Sequence, residues 1–153
     1  MRMLSVRVRL EALNITDNMK QKQIRYCKNC NKPILNRGKS FCSNSCQQDY
    51  LYKKYIDDWK QNKVNGLSGK YSISNYIRKY LFIKYNYKCC ICGWGIKNLF
   101  TNKVPLEIHH IDGDYTNNNE SNLQLLCPNC HSLTSTYKNL NKLGRKQRKK
   151  YSN

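Results

Sequence analysis

Apolar and polar residues alternate near the start of the chain in a pattern typical of a strand. Val6, Val8 and Leu10 alternate with two arginines, and a period of two residues predicts a short, half-exposed strand. A disordered basic arm is the alternative interpretation. Met19 is an alternative start of the functional protein.

Two later segments have apolar residues at helical spacing. One helix is predicted in "SNYIRKYLFIKYNY", where Ser74 provides an N-cap. The other is predicted in "FCSNSCQQDYLYKKYIDDWK" and continues through Tyr55 and Trp59. Cys42 and Cys46 are four residues apart, a spacing that places two side chains on one helix face. The Asn and Gly residues of "NKVNGLSGK" then indicate a linker.

The pattern of the last third predicts a strand, a loop, a second strand and a helix. "VPLEIHHI" is a predicted strand, "DGDYTNNNESN" a loop, "LQLLCPNC" a second strand, and "HSLTSTYKNLN" the start of a helix. Adjacent strand residues point to opposite faces of a sheet. His109 and His110 are therefore poorly placed to bind one ion side by side.

Charge adds information about partners. The 153 residues include 28 Lys and Arg against 9 acidic residues, for a formal net charge of +19. Eight thiolates binding two Zn²⁺ ions would lower this to about +15, which is still strongly basic. Such a chain fits a polyanion, with nucleic acid ahead of an anionic membrane surface. Without an apolar run of about 20 residues or a secretory signal, we expect a soluble, cytoplasmic protein with no membrane partner.

The cysteines predict two zinc sites. Nine cysteines clustered in close pairs suit metal binding in a reducing compartment better than a disulfide framework. A disulfide pair or chance clustering is the alternative for the first group. Cys90 is the odd one out, either a small buried residue or a thiol with no metal to bind. The predicted ligands are Cys27, Cys30, Cys42 and Cys46 for one Zn²⁺, and Cys89, Cys92, Cys127 and Cys130 for the other.

All three histidines lie in or beside the second cysteine group. One imidazole of the His109–His110 pair is predicted to bind a catalytic metal together with His131, and the other to act as a base. Imidazole suits both tasks because its ordinary pKa near 6.5 leaves a neutral nitrogen at physiological pH. Asp112 and Asp114 are further candidate ligands, but "DGD" is more simply a turn.

The stretch from "CCICGWG" through "LEIHHIDGDYTNNNESNLQLLCPNCHSLT" resembles the HNH endonucleases. Their fold is the zinc-stapled ββα-metal finger. The matching features are the histidine pair before Ile, the Asn-Leu step, and the His directly after the last Cys. The amino-terminal "CKNCNK" to "FCSNSC" module looks like an arrangement in phage-encoded HNH proteins, which extends the resemblance over residues 25–150.

The resemblance implies specific roles for these residues. His110 would be the general base, Asn122 would orient the loop, and His109 and His131 would hold one catalytic divalent cation. Many relatives have an acidic residue where this chain has His109. Because imidazole is a softer ligand than carboxylate, this cation is expected to be Mn²⁺, Ni²⁺ or Zn²⁺ more readily than Mg²⁺. The implied products are a 5′-phosphate and a 3′-hydroxyl.

Together these features predict an α+β chain of small zinc-stabilised modules. The predicted parts are an N-terminal arm (1–24), a four-cysteine zinc module with its helix (25–62), a linker and helix (63–87), an HNH nuclease module (88–140) and a basic tail (141–153).

The predicted function is metal-dependent endonucleolytic cleavage of double-stranded DNA, as a nick or a double-strand break, by a phage-type enzyme. A dimer is possible. The alternatives are a non-catalytic zinc-dependent nucleic-acid binder and an RNase. Tail residues predicted to track phosphates are Arg145, Lys146, Arg148, Lys149 and Lys150.

Overall fold

The computed structural model describes residues 24–34 and 38–140. The strand predicted around Val6 and Val8 lies outside the described residues, as does the basic tail with its predicted phosphate-tracking side chains. Within the described part, no helix is both long enough and apolar enough to cross a bilayer.

The N-terminal part consists of a small hairpin followed by a helix. Strands β1 (Arg25–Tyr26) and β2 (Pro33–Ile34) pair antiparallel, and helix α1 spans Asn44–Lys60. The turn between the strands is closed by the backbone N–H of Cys27, which donates to Lys32 O at 2.8 Å.

The prediction that Cys42 and Cys46 share a helix face is wrong for Cys42. Ser43 has an extended backbone with φ −153°, and its side chain accepts from Cys46 N as the N-cap of α1. The side-chain oxygen of an N-cap serine satisfies an N–H that has no partner within the helix. Cys42 therefore precedes the helix, while Cys46 lies in its first turn.

A second hairpin and helix follow. Strands β3 (Leu67–Ser68) and β4 (Ser72–Ile73) pair antiparallel, and helix α2 spans Asn75–Lys84. The predicted N-cap is confirmed, because Ser74 Oγ accepts from Tyr76 N at 3.2 Å. Helices α1 and α2 pack on one another. The core that they share also includes Leu123, a residue of the last sheet. The buried members of this first core cluster are Ile56, Trp59, Ile77, Leu81 and Leu123.

The C-terminal part has the predicted order of strand, loop, strand and helix. Strands β5 (Glu107–His110) and β6 (Leu123–Leu126) pair antiparallel, with His110 opposite Leu123. Short 3-10 helices span Glu120–Asn122 and Lys138–Leu140. A second core cluster underlies this part; its buried members are Cys89, Val104, Leu106, Leu125, Leu126 and Cys127.

The last helix differs from the prediction. Helix α3 spans Pro128–Ser132, so it begins before the predicted segment and ends soon after entering it. Ser132 Oγ donates to Asn129 O, and Thr134 Oγ1 donates to His131 O. Such local side-chain bonds to the backbone compete with helix propagation. The predicted α+β class, with small sheets beside helices, is confirmed.

Candidate functional site

The two adjacent histidines point to opposite sides of the β5–β6 hairpin, as the strand period predicted. The ring of His109 lies beside that of His131, with centroids 5.2 Å apart. His110 instead reaches the side of the hairpin that faces α1 and the loop before β3, where it contacts Asn118. The sheet therefore separates two imidazoles that are neighbours in sequence.

The side of the hairpin that faces α3 carries a pair of imidazoles with available ring nitrogens. His131 Nδ1 is hydrogen-bonded to Glu107 Oε2. An ionised carboxylate only accepts, so Nδ1 carries a proton, and in the neutral imidazole Nε2 then keeps the lone pair. Metal-binding histidines typically donate their other ring N–H to a carboxylate in this way. The surroundings of His131 thus fit those of a metal ligand.

His109 is buried, with 7% of its surface exposed. Burial lowers the pKa of His109, and the neighbouring His131 and His110 lower it further. A lowered pKa favours the neutral imidazole, the form that binds a metal. Thr136 Oγ1 lies 3.5 Å from His109 Nε2, which places a hydroxyl at the edge of the same pair.

Glu107 was not among the predicted site residues. It lies two residues before His109 on β5, and residues two apart in a strand share a face. The two-residue period of a strand therefore predicts that Glu107 shares a face of β5 with the predicted ligand His109. This was the signal by which Glu107 could have been found from the sequence.

On the opposite side of the hairpin, Asn118 orients His110. Its Nδ2 donates to Asn65 O at 3.1 Å, so its Oδ1 is the atom 3.0 Å from His110 Nε2. Because an amide oxygen only accepts, His110 carries its proton on Nε2 and leaves Nδ1 as a base. Trp59 Nε1 donates to Asn118 O at 2.8 Å, which connects the end of α1 to this arrangement.

Asn118 is nearly fully buried, although the sequence predicted only a loop for the stretch "DGDYTNNNESN" that contains it. No local pattern distinguishes it from its two neighbours. Its role depends on Trp59 and Asn65, which only the tertiary structure brings beside it.

The loop between β5 and β6 is held by Asn122. The Asn122 side chain accepts from Asp112 N at 3.1 Å, and donates to Asp112 Oδ1 at 2.9 Å and to Asn117 O at 2.8 Å. Asp114 Oδ1 accepts from Thr116 N and Oγ1. Both carboxylates of "DGD" are thus engaged within the loop, in agreement with the simpler interpretation of this sequence as a turn.

The two cysteine quartets have the geometry of tetrahedral metal sites. Within each quartet all four Sγ atoms lie within 4.8 Å of one another. The Sγ–Sγ distance is 3.5 Å for Cys30–Cys42 and 3.7 Å for Cys92–Cys127. A Zn–S bond of about 2.3 Å gives tetrahedral S–S distances of about 3.8 Å. Each quartet therefore fits one zinc ion, and four thiolates would leave no open position for substrate.

The first cysteine of each quartet is surrounded by backbone N–H groups. Burial raises the pKa of Cys27, but hydrogen bonds from Cys30, Cys42 and Asn29 outweigh it and lower the pKa to about 6. The same balance lowers the pKa of Cys89 to about 6. A thiol with a lowered pKa is readily present as the thiolate that binds zinc.

Cys90 lies outside the quartet, as expected. It is half-buried against the second core cluster, and its N–H donates to Leu125 O at 2.9 Å. It therefore contributes to packing and to the position of β6.

Comparison with known proteins identifies the segment that carries the histidines. The profile of the HNH endonuclease family matches residues 89–136. The chain is 47% identical over 51 residues to the H-N-H endonuclease F-TflIV of Escherichia phage T5, which covers 33% of this chain and 22% of that protein. It is 30% identical over 133 residues to the Zorya protein ZorE of Escherichia coli, covering 71% of this chain and 31% of that protein.

The chain thus spans less than a third of the length of either relative. No solved structure matches it significantly. The family match and the phage relative confirm the predicted family and support the predicted enzyme class, a nuclease. Residues 89–136 of this chain match the HNH endonuclease family.

Proposed function

We propose that the protein is a metal-dependent endonuclease that hydrolyses DNA phosphodiester bonds. The observation that carries the proposal is the placement of all three histidines on strand β5 and helix α3, within the segment that matches the HNH family. His109 and His131 form a pair of imidazoles on one side, and His110 presents a free Nδ1 on the other.

His110 is the proposed general base. Its Nε2 is held by Asn118, so Nδ1 is free to take a proton from the attacking water. Asn122 supports this step from a distance, because its hydrogen bonds hold the loop that begins directly after His110. The expected products are a 5′-phosphate and a 3′-hydroxyl.

His109 and His131 are the proposed ligands of one catalytic divalent cation. Such a cation would stabilise the negative charge that builds up on the scissile phosphate and the departing oxygen. Imidazole ligands favour Mn²⁺, Ni²⁺ or Zn²⁺ over Mg²⁺. Glu107 supports His131 by accepting its Nδ1 proton. The two cysteine quartets are proposed to hold structural Zn²⁺.

Double-stranded DNA is the proposed substrate, and the host cytoplasm the proposed location. The formal charge of +19 favours phosphate contacts, and the phage relative is named an endonuclease. We further propose that the chain consists of a four-cysteine zinc module at 25–62, a linker and helix at 63–87 and a nuclease module at 88–140. The phosphate-tracking role of Arg145 and the other basic tail residues stays a prediction.

The first test is cleavage of supercoiled plasmid by the zinc-loaded chain with Mg²⁺, Mn²⁺, Ni²⁺ or EDTA. We expect metal-dependent conversion to open-circle or linear DNA. His110→Ala should reduce the rate by about 10²- to 10⁴-fold, the usual contribution of a general base, while DNA binding is retained. Asn119→Ala, an exposed change in the same loop, is the matched control and should cleave normally.

Two results would contradict the proposal. Cleavage that survives His110→Ala would remove this residue from the chemistry. Binding of DNA without cleavage in any metal would favour the non-catalytic binder, unless RNA offered in the same series is cut, which would favour the RNase.

A further inference from the structure

A short loop presents two large apolar side chains to solvent. Residues 97–103, here called the Leu99 loop, connect the second zinc knuckle to the segment before β5. Phe100 is 98% exposed and Leu99 is 95% exposed, the highest values among the large hydrophobic residues that the structure describes. Exposed apolar groups of this size usually have a binding role when they are clustered.

The backbone of the Leu99 loop is well ordered by hydrogen bonds. Asn98 Oδ1 accepts from Phe100 N and Thr101 N, both at 2.9 Å. Asn98 N donates to Lys103 O at 2.9 Å, and Asn102 N donates to Asn98 O at 2.8 Å. These bonds close the base of the loop. Leu99 and Phe100 are therefore exposed on a loop whose backbone conformation is defined by hydrogen bonds.

Positive charge surrounds the base of the same loop. Lys97 and Lys103 flank it, and neither has an acidic partner within 4 Å among the described residues. Both also line a groove that runs along α2 past the aromatic rings of Phe82 and Tyr87. The charged residues lining this groove are all basic: Arg78, Lys79, Lys97 and Lys103.

We propose that the Leu99 loop is a wedge that inserts Leu99 and Phe100 between base pairs of DNA while the adjacent basic residues bind phosphates. Apolar side chains such as Phe and Leu unstack base steps in this way, and a kinked duplex then contacts more protein surface. The inference rests on the proposed function in one respect, that the polyanion is DNA. It adds a contact that acts on the bases and is separate from the histidines.

Charge and the family match together favour DNA over the other partners of an apolar loop tip. In a symmetric dimer the same patch faces itself, so Lys97 and Lys103 of one copy would approach those of the other. Protein interfaces are also depleted in lysine at their centre. An anionic bilayer would accept the same chemistry, but the loop lies in the module whose family acts on nucleic acid.

The test uses the full zinc-loaded chain carrying His110→Ala, so that DNA is bound without being cut. The probe is a mixed-sequence duplex in which 2-aminopurine replaces adenine, because its fluorescence rises when it unstacks. We expect the fluorescence to rise on binding. Adding Leu99→Ser and Phe100→Ser should abolish the rise and weaken affinity by about tenfold or more, since two apolar side chains lose their burial.

Ile24→Ser is the matched control. Ile24 is 66% exposed and directly precedes β1 of the first zinc module. It should leave both fluorescence and affinity unchanged. Because Leu99 and Phe100 bury almost no surface, their double exchange should not change the melting temperature, which separates lost contacts from lost folding.

Three outcomes would overturn the wedge. The first is a duplex that stays stacked when bound, or an unstacking that the double exchange does not alter. The second is a chain that self-associates in sedimentation experiments and loses this property on the double exchange. The third is loop-dependent binding to phosphatidylserine vesicles with unaltered DNA binding. A failure of plasmid cleavage by the wild-type chain would instead count against the nuclease alone.

Discussion

The two cysteine quartets have the same ligands but different surroundings. Cys89 and Cys127 belong to the core cluster beneath the β5–β6 hairpin. In the first quartet only Cys27 is buried, and Cys30 and Cys42 are exposed. Among the described residues, neither hydrophobic core cluster includes a buried cysteine of the first quartet.

This difference indicates two uses of one metal chemistry. In the C-terminal module, ligand binding and core packing involve the same residues, so metal and fold are strongly coupled. The N-terminal quartet joins a hairpin to the start of α1, and the described core meets this part through Ile56 and Trp59 at the other end of the helix. Zinc bound there would hold a peripheral module, which contacts the proposed nuclease site through α1.

The largest effect is expected from removing one ligand of each quartet. Cys127→Ser should unfold the HNH module and abolish cleavage, because structural zinc contributes roughly 10 kcal/mol or more to a small domain. Cys42→Ser should lose one zinc ion but keep the HNH module folded, with partial cleavage. Zinc content, circular dichroism and plasmid cleavage measure the loss of metal, of fold and of activity in each variant. Equal losses of fold in the two variants would contradict the comparison.

Backbone substitutions provide a second test of the same contrast. Gly66 has φ +76°, and an added Cβ would lie 2.6 Å from Ile77 Cδ1 and 2.9 Å from Asn118 Cβ. Gly66→Ala should therefore lower the free energy of unfolding by about 3 kcal/mol through strain and overpacking. Gly38 also has a positive φ, but nothing lies within 4 Å of its added Cβ.

Gly38→Ala is the control and should cost only about 1 kcal/mol, from backbone strain alone. Urea unfolding of the zinc-loaded variants measures both. Similar losses at the two positions would show that the junction near Asn118 is not tightly packed.

The link between α1 and the nuclease site is tested by Trp59→Phe. The change keeps an aromatic ring but removes the N–H that donates to Asn118 O. Loss of one buried hydrogen bond is worth about 1 kcal/mol, so cleavage should fall about fivefold through a looser Asn118 and His110. Trp94→Phe, which removes the other indole, is the control. Equal rates in the two variants would mean that α1 does not position the base.

The smallest effect concerns pH. Burial raises the pKa of Glu120, but hydrogen bonds from Lys84 and Tyr80 outweigh it and lower the pKa. A lowered pKa stabilises the fold above the unfolded value near 4.5, and this contribution is lost as pH falls through the folded pKa. Glu120→Gln should cost about 1 kcal/mol or less at neutral pH.

The difference in unfolding free energy between wild type and Glu120→Gln should therefore shrink as pH falls below about 4.5. The comparison uses the pH range in which both proteins still bind zinc and remain folded. A difference that stays constant with pH would contradict the assigned role of Glu120.

Local features of the chain could be predicted because nearby residues determine them. The Ser74 cap depends on the residues just after it, and the opposite directions of His109 and His110 follow from the strand period. The errors were also local. Ser43 is the N-cap of α1, so Cys42 lies before the helix. The side chains of Ser132 and Thr134 donate to backbone carbonyls near the early end of α3. Such side-chain hydrogen bonds compete closely with the backbone hydrogen bonds of a helix. The ends of helices α1 and α3 were therefore predicted less accurately than their existence.

The sequence by itself determined the two cysteine quartets, the histidine positions and the HNH resemblance, because spacing along the chain sets which ligands meet. Only the tertiary structure decided how the histidines are supported. Glu107 meets His131 across 24 residues, and Trp59 meets Asn118 across 59. Such partners are chosen by the packing of separate elements, and no local pattern of residues encodes which side chain a distant element will bring to the site.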